Sequence, residues 1–351
     1  MNDLASEPVQ AQPEPVRERG WWRVVLATLL FLFVAVTPVI HIVLPIDQPL
    51  VLLVPALAAC AVAGWFAGGR LPLALALIAI AAWVLVMFTS AGGSFAYLAC
   101  GWAVLLSATF AGTVIFTRGE SGVPGRSFSS QAFAAIGVAL ALAAGATLAT
   151  KQGATTVAQM MSTEATKRGE QQLAEWKQTT ASKEWIDFFA GNPDAKAIVT
   201  TMEQQLEAAP QVATELFPSL LALESFLALA IGWAVYHRIG RERIGPPLAA
   251  LKEFRFSDQF VWGLVAGLAM IVVPGFGSMS VVGANLLVFF GALYALRGVG
   301  VGLWFLSPGR VLMGLLIVFA VVFPLVLGVL GVGLGVGDTW LNWRARAKPK
   351  T

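Results

Sequence analysis

The sequence predicts an all-α fold: a polytopic bundle of eight or nine transmembrane helices with a helical extracytoplasmic insert. Of the 351 residues, 57% are hydrophobic and only 12% are charged, whereas a soluble domain carries about 25% charged residues. Apolar runs of about 20 residues recur along the chain, and each is long enough to cross a hydrocarbon core of roughly 30 Å. Because that core offers no water to the backbone, each run must be helical.

The orientation of the bundle is predicted from one basic segment, residues 237–255. Five of its residues are basic, namely Arg238, Arg241, Arg243, Lys252 and Arg255. Short loops rich in Arg and Lys are retained in the cytoplasm. The sequence therefore predicts a multi-pass membrane protein with its N-terminus in the cytoplasm. Residues 1–20, rich in Pro, Glu and Gln, are predicted to form a disordered cytoplasmic tail.

Residues 21–150 are predicted to hold about five spans. The runs are Val24–Leu44, Leu50–Ala67, Leu71–Thr89, Phe95–Phe116 and Gln131–Thr150. Small residues recur at every fourth position in two of these runs, and that spacing lets neighbouring helices approach closely. The two stripes are Ala59, Ala63 and Ala67 in the second run, and Gly137, Ala141, Gly145 and Ala149 in the fifth.

Residues 151–212 differ in character from the rest of the chain, because they contain six basic and eight acidic residues. After five spans they are predicted to form a helical extracytoplasmic insert. Asn192 and Pro193 are typical of a helix start, with Asn as the N-cap. An apolar stripe follows at helical spacing and is predicted to pack on another helix or on the bilayer: Ala195, Ile198, Val199, Met202 and Leu206. An apolar, mostly aromatic group before it is predicted to pack on the outer membrane surface rather than to stack on a ligand: Trp185, Ile186, Phe188 and Phe189.

Residues 213–351 are predicted to form a C-terminal membrane domain of three or four helices with a short basic tail. The runs are Phe217–Tyr236, Phe260–Val273, Val281–Phe305 and Val311–Val336. Nine spans in total would leave the basic tail outside, at Arg344, Arg346, Lys348 and Lys350. The orientation rule favours that tail inside, which an eight-span arrangement with one re-entrant segment would provide. Nine spans are adopted here, with eight as the alternative.

The composition argues against several classes of function. The only histidines, His41 and His237, are predicted at opposite membrane faces, so the sequence offers no hydrolytic triad and no metal cluster. Cys60 and Cys100 lie inside apolar runs, where cysteine usually behaves as a small hydrophobe. We therefore predict a protein that is not an enzyme and has no cofactor. Its partners are predicted to be the lipid bilayer and, as an open alternative, membrane proteins, but not nucleic acid.

Polar residues at membrane depth are the remaining functional candidates. Glu224 and Asn285 lie within predicted spans, and His41 lies near the end of the first. Intramembrane ionisable groups usually face the bundle interior, so these three are predicted to line an outward-opening substrate pocket. The alternative is that Glu224 is protonated and stabilises helix packing through hydrogen bonds. Arg297 is predicted to bond to a backbone carbonyl or to extend towards the inner face, and a role as a counter-ion is the less favoured alternative.

The C-terminal half also resembles the YybS-like family, which comprises uncharacterised bacterial membrane proteins, across roughly residues 213–346. The residues that carry this resemblance are Arg255, Phe256, Asn285, Tyr294, Arg297, Gly298, Asp338, Trp340 and Arg344. Ser257 stands where the family tends to have Pro, and Arg297 stands where it often has Gln. The family is distantly similar to the substrate-capturing subunits of energy-coupling-factor transporters. This similarity implies a helical bundle with an outward-facing pocket. The resemblance to a family of bacterial membrane proteins also implies the bacterial cytoplasmic (inner) membrane as the location.

Two readings of function follow from the sequence. The first is a small-molecule-binding or transport-related membrane protein with an outward-facing pocket near Glu224 and Asn285. The alternative is a structural or assembly protein that binds protein partners through the insert, residues 151–212, and the basic segment.

Overall fold

The computed structural model describes residues 20–117, 126–150 and 153–346, and the predicted N-terminal tail, residues 1–19, lies outside this range. The described residues form helices joined by turns, in agreement with the predicted all-α fold. In the N-terminal part the helices are α1 Trp21–Val34, α2 Pro38–Val43, α3 Leu50–Phe66, α4 Leu71–Ala91, α5 Ser94–Phe116 and α6 Phe128–Ala149. The insert forms α7 Gly153–Thr180, α8 Lys183–Gly191 and α9 Pro193–Glu215.

The C-terminal part contains six further helices. They are α10 Phe217–Ile239, α11 Val261–Val272, α12 Ser280–Leu306, α13 Arg310–Val322, α14 Pro324–Leu341 and α15 Trp343–Arg346. Within the described residues, six helices are long and apolar enough to cross a membrane: α4, α5, α6, α10, α12 and α14. Shorter apolar segments are Trp21–Val34, Leu50–Phe66, Asp258–Val272 and Val311–Ala320. The protein is therefore a multi-pass helical membrane bundle.

Two runs predicted as single spans are each two helices. The first run breaks at Thr37, whose ψ of 129° is extended, so that α2 begins afresh at Pro38. The last run breaks at Phe323 (φ −124°, ψ 56°), immediately before Pro324. Proline lacks an amide hydrogen and disfavours the helical conformation of the preceding residue. A proline within each run therefore ends one helix and begins the next.

Helix α3 forms the centre of the N-terminal bundle and packs against α4, α5 and α10. Its predicted small-residue stripe is buried at Ala59 and Ala63, which are 4% and 3% exposed. Gly64 leaves the space that the ring of Tyr236 occupies. The stripe of four small residues on α6 behaves differently, because all four are exposed. Within the described part of the chain, the predicted close approach of another helix therefore does not occur at that face.

The insert forms its own small apolar core with α2. Leu206 and Met202 of α9 pack with Leu173 of α7 and with Ile42 of α2. This confirms helix packing for that part of the predicted stripe, whereas Ile198 is exposed. The prediction for Asn192 was wrong in part: α9 does begin at the next residue, but the Asn192 side chain makes no N-cap hydrogen bond. Its amide donates instead to the carbonyl of Phe188 (3.0 Å), near the end of α8.

Helix α12 organises the C-terminal part and packs against α11 and α14. The glycine-rich stretch 331–337 is helical, and two of its glycines, Gly331 and Gly335, allow the backbones of α12 and α14 to approach closely. A Cβ atom at Gly331 would lie 3.0 Å from the carbonyl oxygen of Ala295. We call the end of the bundle where the insert packs the insert end, and the end with residues 237–255 the basic end.

Candidate functional site

Glu224 lies beneath the turn formed by residues 44–49, at the insert end of α10. Its Oε2 atom accepts a hydrogen bond from the backbone amide of Ile46 (3.2 Å). The side chain is only 5% exposed, and among the described residues its Oε1 atom has no hydrogen-bond partner. The turn therefore covers this carboxyl group and closes the bundle above it.

Arg168 of α7 connects the insert to the turn formed by residues 44–49. Its guanidinium donates to the carbonyl of Leu44 (3.1 Å) and lies 3.5 Å from the Oδ1 atom of Asp47. It also donates to Glu164 (3.0 Å) and lies over the ring of Phe95, 5.2 Å from its centre. No local sequence pattern marks Arg168 as a functional residue, because its partner Leu44 is 124 positions away.

Replacing Arg168 with methionine should loosen the insert. Hydrogen bonds to charged groups contribute about 1.5–3 kcal/mol each, so local opening should become about tenfold more frequent or more. Chymotrypsin cleavage within α8, followed in detergent, measures that opening. Lys167→Met is the matched control, because Lys167 is the exposed neighbour on the same helix. Equal cleavage rates for the two variants would contradict the proposed attachment.

Asn285 connects α12 to the junction between α9 and α10. Its Oδ1 atom accepts a hydrogen bond from the amide of Ser219 (2.9 Å), and its Nδ2 group donates to the carbonyl of Glu215 (2.7 Å). Nδ2 also donates to the carbonyl of Val281 (2.9 Å). The ends of α9 and α10 leave backbone groups without helical partners, and Asn285 satisfies one group on each side of the junction.

An apolar cleft of about 310 Å³ opens beside Asn285, between α6, α10 and α12. Besides Asn285, its lining residues are mostly aliphatic and aromatic: Phe133, Ile136, Gly137, Leu140, Pro218, Ser219, Ala222, Phe260, Val282, Leu286, Phe289 and Phe290. Neither Glu224 nor His41 lines this cleft. His41 lies instead on α2, which packs against the insert. The structure thus places only one of the three predicted substrate-binding residues at the cleft.

A second cleft of about 580 Å³, which we call the polar cleft because its lining is more polar than that of the first, adjoins the first one towards the basic end. Its lining contains four hydroxyl groups and one guanidinium: Ser127, Ser129, Ser130, Phe133, Ala134, Arg255, Phe256, Ser257 and Phe260. Phe133 and Phe260 line both clefts, and their rings lie 5.1 Å apart in an edge-to-face arrangement. The two clefts are therefore neighbours along α6, one apolar and one polar.

A buried ion-pair network, which we call the Asp338 network, joins α12, α14 and α15 at the basic end. The carboxylate of Asp338 accepts hydrogen bonds from Arg297 (3.1 Å) and from Arg344 (2.6 Å), and it is fully buried. Arg297 also pairs with Asp258 (2.8 Å), and Arg344 donates to the carbonyls of Lys252 and Phe254. The favoured prediction for Arg297 was therefore wrong, because its partners are two carboxylates rather than a carbonyl or the membrane surface.

Most of the residues that carry the resemblance to the YybS-like family lie around this network. The guanidinium of Arg297 lies 5.6 Å from the ring centre of Phe256, and that ring lies 5.0 Å from the ring of Tyr294. Gly298 contacts the backbone of α14. Arg255 lines the polar cleft nearby, whereas Trp340 is exposed and Asn285 lies at the insert end. The motif thus describes one buried cluster and its immediate surroundings.

Comparison with known proteins gives one match. A family model described as a predicted membrane protein (DUF2232) matches residues 25–339. This match extends well beyond the C-terminal resemblance noted in the sequence and includes the N-terminal helices. None of the curated proteins and none of the solved structures matches the chain. The YybS-like name and the distant similarity to transporter subunits remain predictions.

Proposed function

We propose that this chain, which belongs to the DUF2232 family of predicted membrane proteins, binds a small molecule in the apolar cleft and has a transport-related, non-enzymatic role. The observation that carries the proposal is the cleft itself, about 310 Å³ in volume and lined by aromatic and aliphatic side chains. Ligand sites in proteins are typically concave, about 300–1,000 Å³ in volume and mostly apolar, with few polar groups. The cleft matches each of these properties.

The position of the cleft supports a role in transport. It lies where α6 of the N-terminal helices meets α12 of the C-terminal helices, with α10 between them. Transporters commonly bind substrate where two structural units meet, and they expose it by moving one unit against the other. We propose the same relation here, with Asn285 holding the junction at one end of the cleft.

The orientation belongs to the same proposal. Arg and Lys are concentrated in the basic segment, residues 237–255, so we place the basic end in the cytoplasm of a bacterial inner membrane. The insert then lies outside. In this arrangement the turn formed by residues 44–49 covers Glu224 from the extracytoplasmic side.

Filling the cleft tests the proposal. A Cβ atom at Gly137 would meet nothing within 4 Å, so Gly137→Leu should fold normally while its side chain occupies the cleft. The amount of small molecule that copurifies with the protein in mild detergent, measured by mass spectrometry, should fall about tenfold or more. Loss of apolar contacts worth about 1.4 kcal/mol is enough to weaken binding tenfold.

Gly145→Leu is the matched control for this experiment. Gly145 lies on the same helix with equally open space around it, and it does not line the cleft. Its variant should retain the copurifying molecules. If Gly137→Leu retains them as well, the cleft is not a binding site.

A further inference from the structure

We infer that the ligand of the apolar cleft is a lipid with an anionic phosphate headgroup, whose head binds Arg255 in the polar cleft and whose chain lies in the apolar cleft. This inference rests on the proposed function, because it uses the apolar cleft as the binding site for the chain. It adds the chemical class of the ligand and a second part of the site.

The charge of the polar cleft is the first argument. Arg255 lines this cleft and is exposed within it, and no described residue forms an ion pair or hydrogen bond with its side chain. The carboxylate of Asp258, three positions further on, is paired with Arg297 at 2.8 Å. The cleft is thus left with a guanidinium whose charge is not balanced by a bound carboxylate. A guanidinium binds phosphate through parallel hydrogen bonds.

The hydroxyl groups of the polar cleft are the second argument. Ser127, Ser129, Ser130 and Ser257 line it together with Arg255. Ser127 and Ser129 form a hydrogen bond to each other (3.3 Å), which uses one of the four hydroxyl donors. The other hydroxyl groups can each donate one hydrogen bond, and phosphate oxygens are strong acceptors. The lining of the polar cleft contains no acidic side chain, so the residues that face this space favour an anion over a cation.

The length of the combined cleft selects a lipid over free phosphate. From Ser129 in the polar part to Leu140 in the apolar part, α6 extends about 16 Å at 1.5 Å per residue. This is about half of a hydrocarbon core of roughly 30 Å, the depth that the acyl chains of one leaflet occupy. Free phosphate would occupy only the polar part and would leave the apolar cleft without a ligand.

The cleft is also open on the side from which a lipid would enter. Gly137 lines the apolar part and is exposed, and the small residues that follow it on the same face of α6 are exposed too. A lipid chain can therefore enter sideways between α6 and α12 without leaving the bilayer. The aromatic rings of Phe133 and Phe260, which line both clefts, would contact the start of the chain.

The test compares defined lipids on the purified full-length protein. Native mass spectrometry in detergent gives the affinities for phosphatidylglycerol, for diacylglycerol with the same chains, which lacks the phosphate, and for inorganic phosphate. The wild-type protein should prefer phosphatidylglycerol by about tenfold or more, the worth of one hydrogen-bonded charge pair. Arg255→Gln should remove that preference, and Arg255→Lys should retain part of it. Arg241→Gln, an exposed cation of the same basic segment outside the clefts, should keep it.

The outcomes separate this inference from the proposed function. Gly137→Leu should weaken both lipids equally, because it obstructs the chain and not the head. If Arg255→Gln keeps the wild-type preference while Gly137→Leu still weakens both lipids, the headgroup assignment is wrong and the apolar site stands. If inorganic phosphate binds as tightly as phosphatidylglycerol and Gly137→Leu changes neither, the lipid is not the ligand.

Discussion

Replacing Asp338 with asparagine is expected to destabilise the protein by about 3–5 kcal/mol, the usual cost of removing one partner from a buried ion pair. Asp338 is fully buried and faces two guanidinium groups, those of Arg297 and Arg344, which are each 3% exposed. Asparagine has nearly the same shape but no charge, so both cations would lose their buried counter-ion. Arg344 would retain only neutral carbonyl partners. Thermal and denaturant unfolding in detergent measure the loss.

Asp258→Asn is the matched control for this prediction. Asp258 also pairs with Arg297, but its side chain is 63% exposed. An exposed ion pair contributes only about 0–1 kcal/mol because water screens it. The two substitutions should therefore differ several-fold in their effect, although each removes one carboxylate from the same arginine. Equal effects would mean that burial of Asp338 does not decide the energetics of the network.

The predictable part of the fold follows from solvent chemistry. A run of about 20 apolar residues must be helical in hydrocarbon, and the predicted runs are helical in the structure. The breaks within two of these runs occur at Pro38 and Pro324. They were not predicted, because hydropathy does not reflect the missing amide hydrogen of proline. The last helix of the insert, α9, illustrates the opposite limit: its stripe at Met202 and Leu206 predicted a partner helix, but not which one.

The candidate site was predicted less completely, because its contacts connect distant parts of the chain. Glu224 and Asn285 were identified by their polarity at membrane depth, yet their partners Ile46 and Ser219 are 178 and 66 positions away. Both residues bind backbone groups, and backbone partners leave no trace in a sequence. The role of each therefore became visible only once the helices were packed.

The Asp338 network shows where a motif carries more information than periodicity. Arg297 and Asp338 are 41 positions apart. When either helix is considered alone, its charged residue is a buried ion without a partner, which would destabilise the fold. Burial of one charge requires the other, so the two must occur together if α12 and α14 are to pack. The resemblance grouped them with Phe256 and Tyr294 before any contact was known, and the structure supplies the reason for that grouping.

Close packing of α12 against α14 leads to the second large effect, at Gly298. A Cβ atom at Gly298 would overlap the carbonyl oxygen of Gly331, and one at Gly335 would overlap the carbonyl oxygen of Tyr294. Backbone atoms cannot move aside as a flexible side chain can, so Gly298→Ala must push the two helices apart. Overpacking of this kind costs about 1–3 kcal/mol. In a membrane, small residues at the interface are what allows such helices to associate.

A matched substitution on the same helix is expected to change stability in the opposite direction from Gly298→Ala. A Cβ atom at Gly302 meets nothing within 4 Å, and alanine stabilises a helix by about 1 kcal/mol relative to glycine. Gly302→Ala should therefore raise the unfolding temperature in detergent, or leave it unchanged, while Gly298→Ala lowers it. The Gly298→Ala substitution should also separate α12 from α14. Cysteines placed at Ala295 and Val332 should then react faster with a thiol reagent than they do without that substitution. Equal, favourable shifts for both alanine variants would show that the backbones of α12 and α14 do not approach at Gly298.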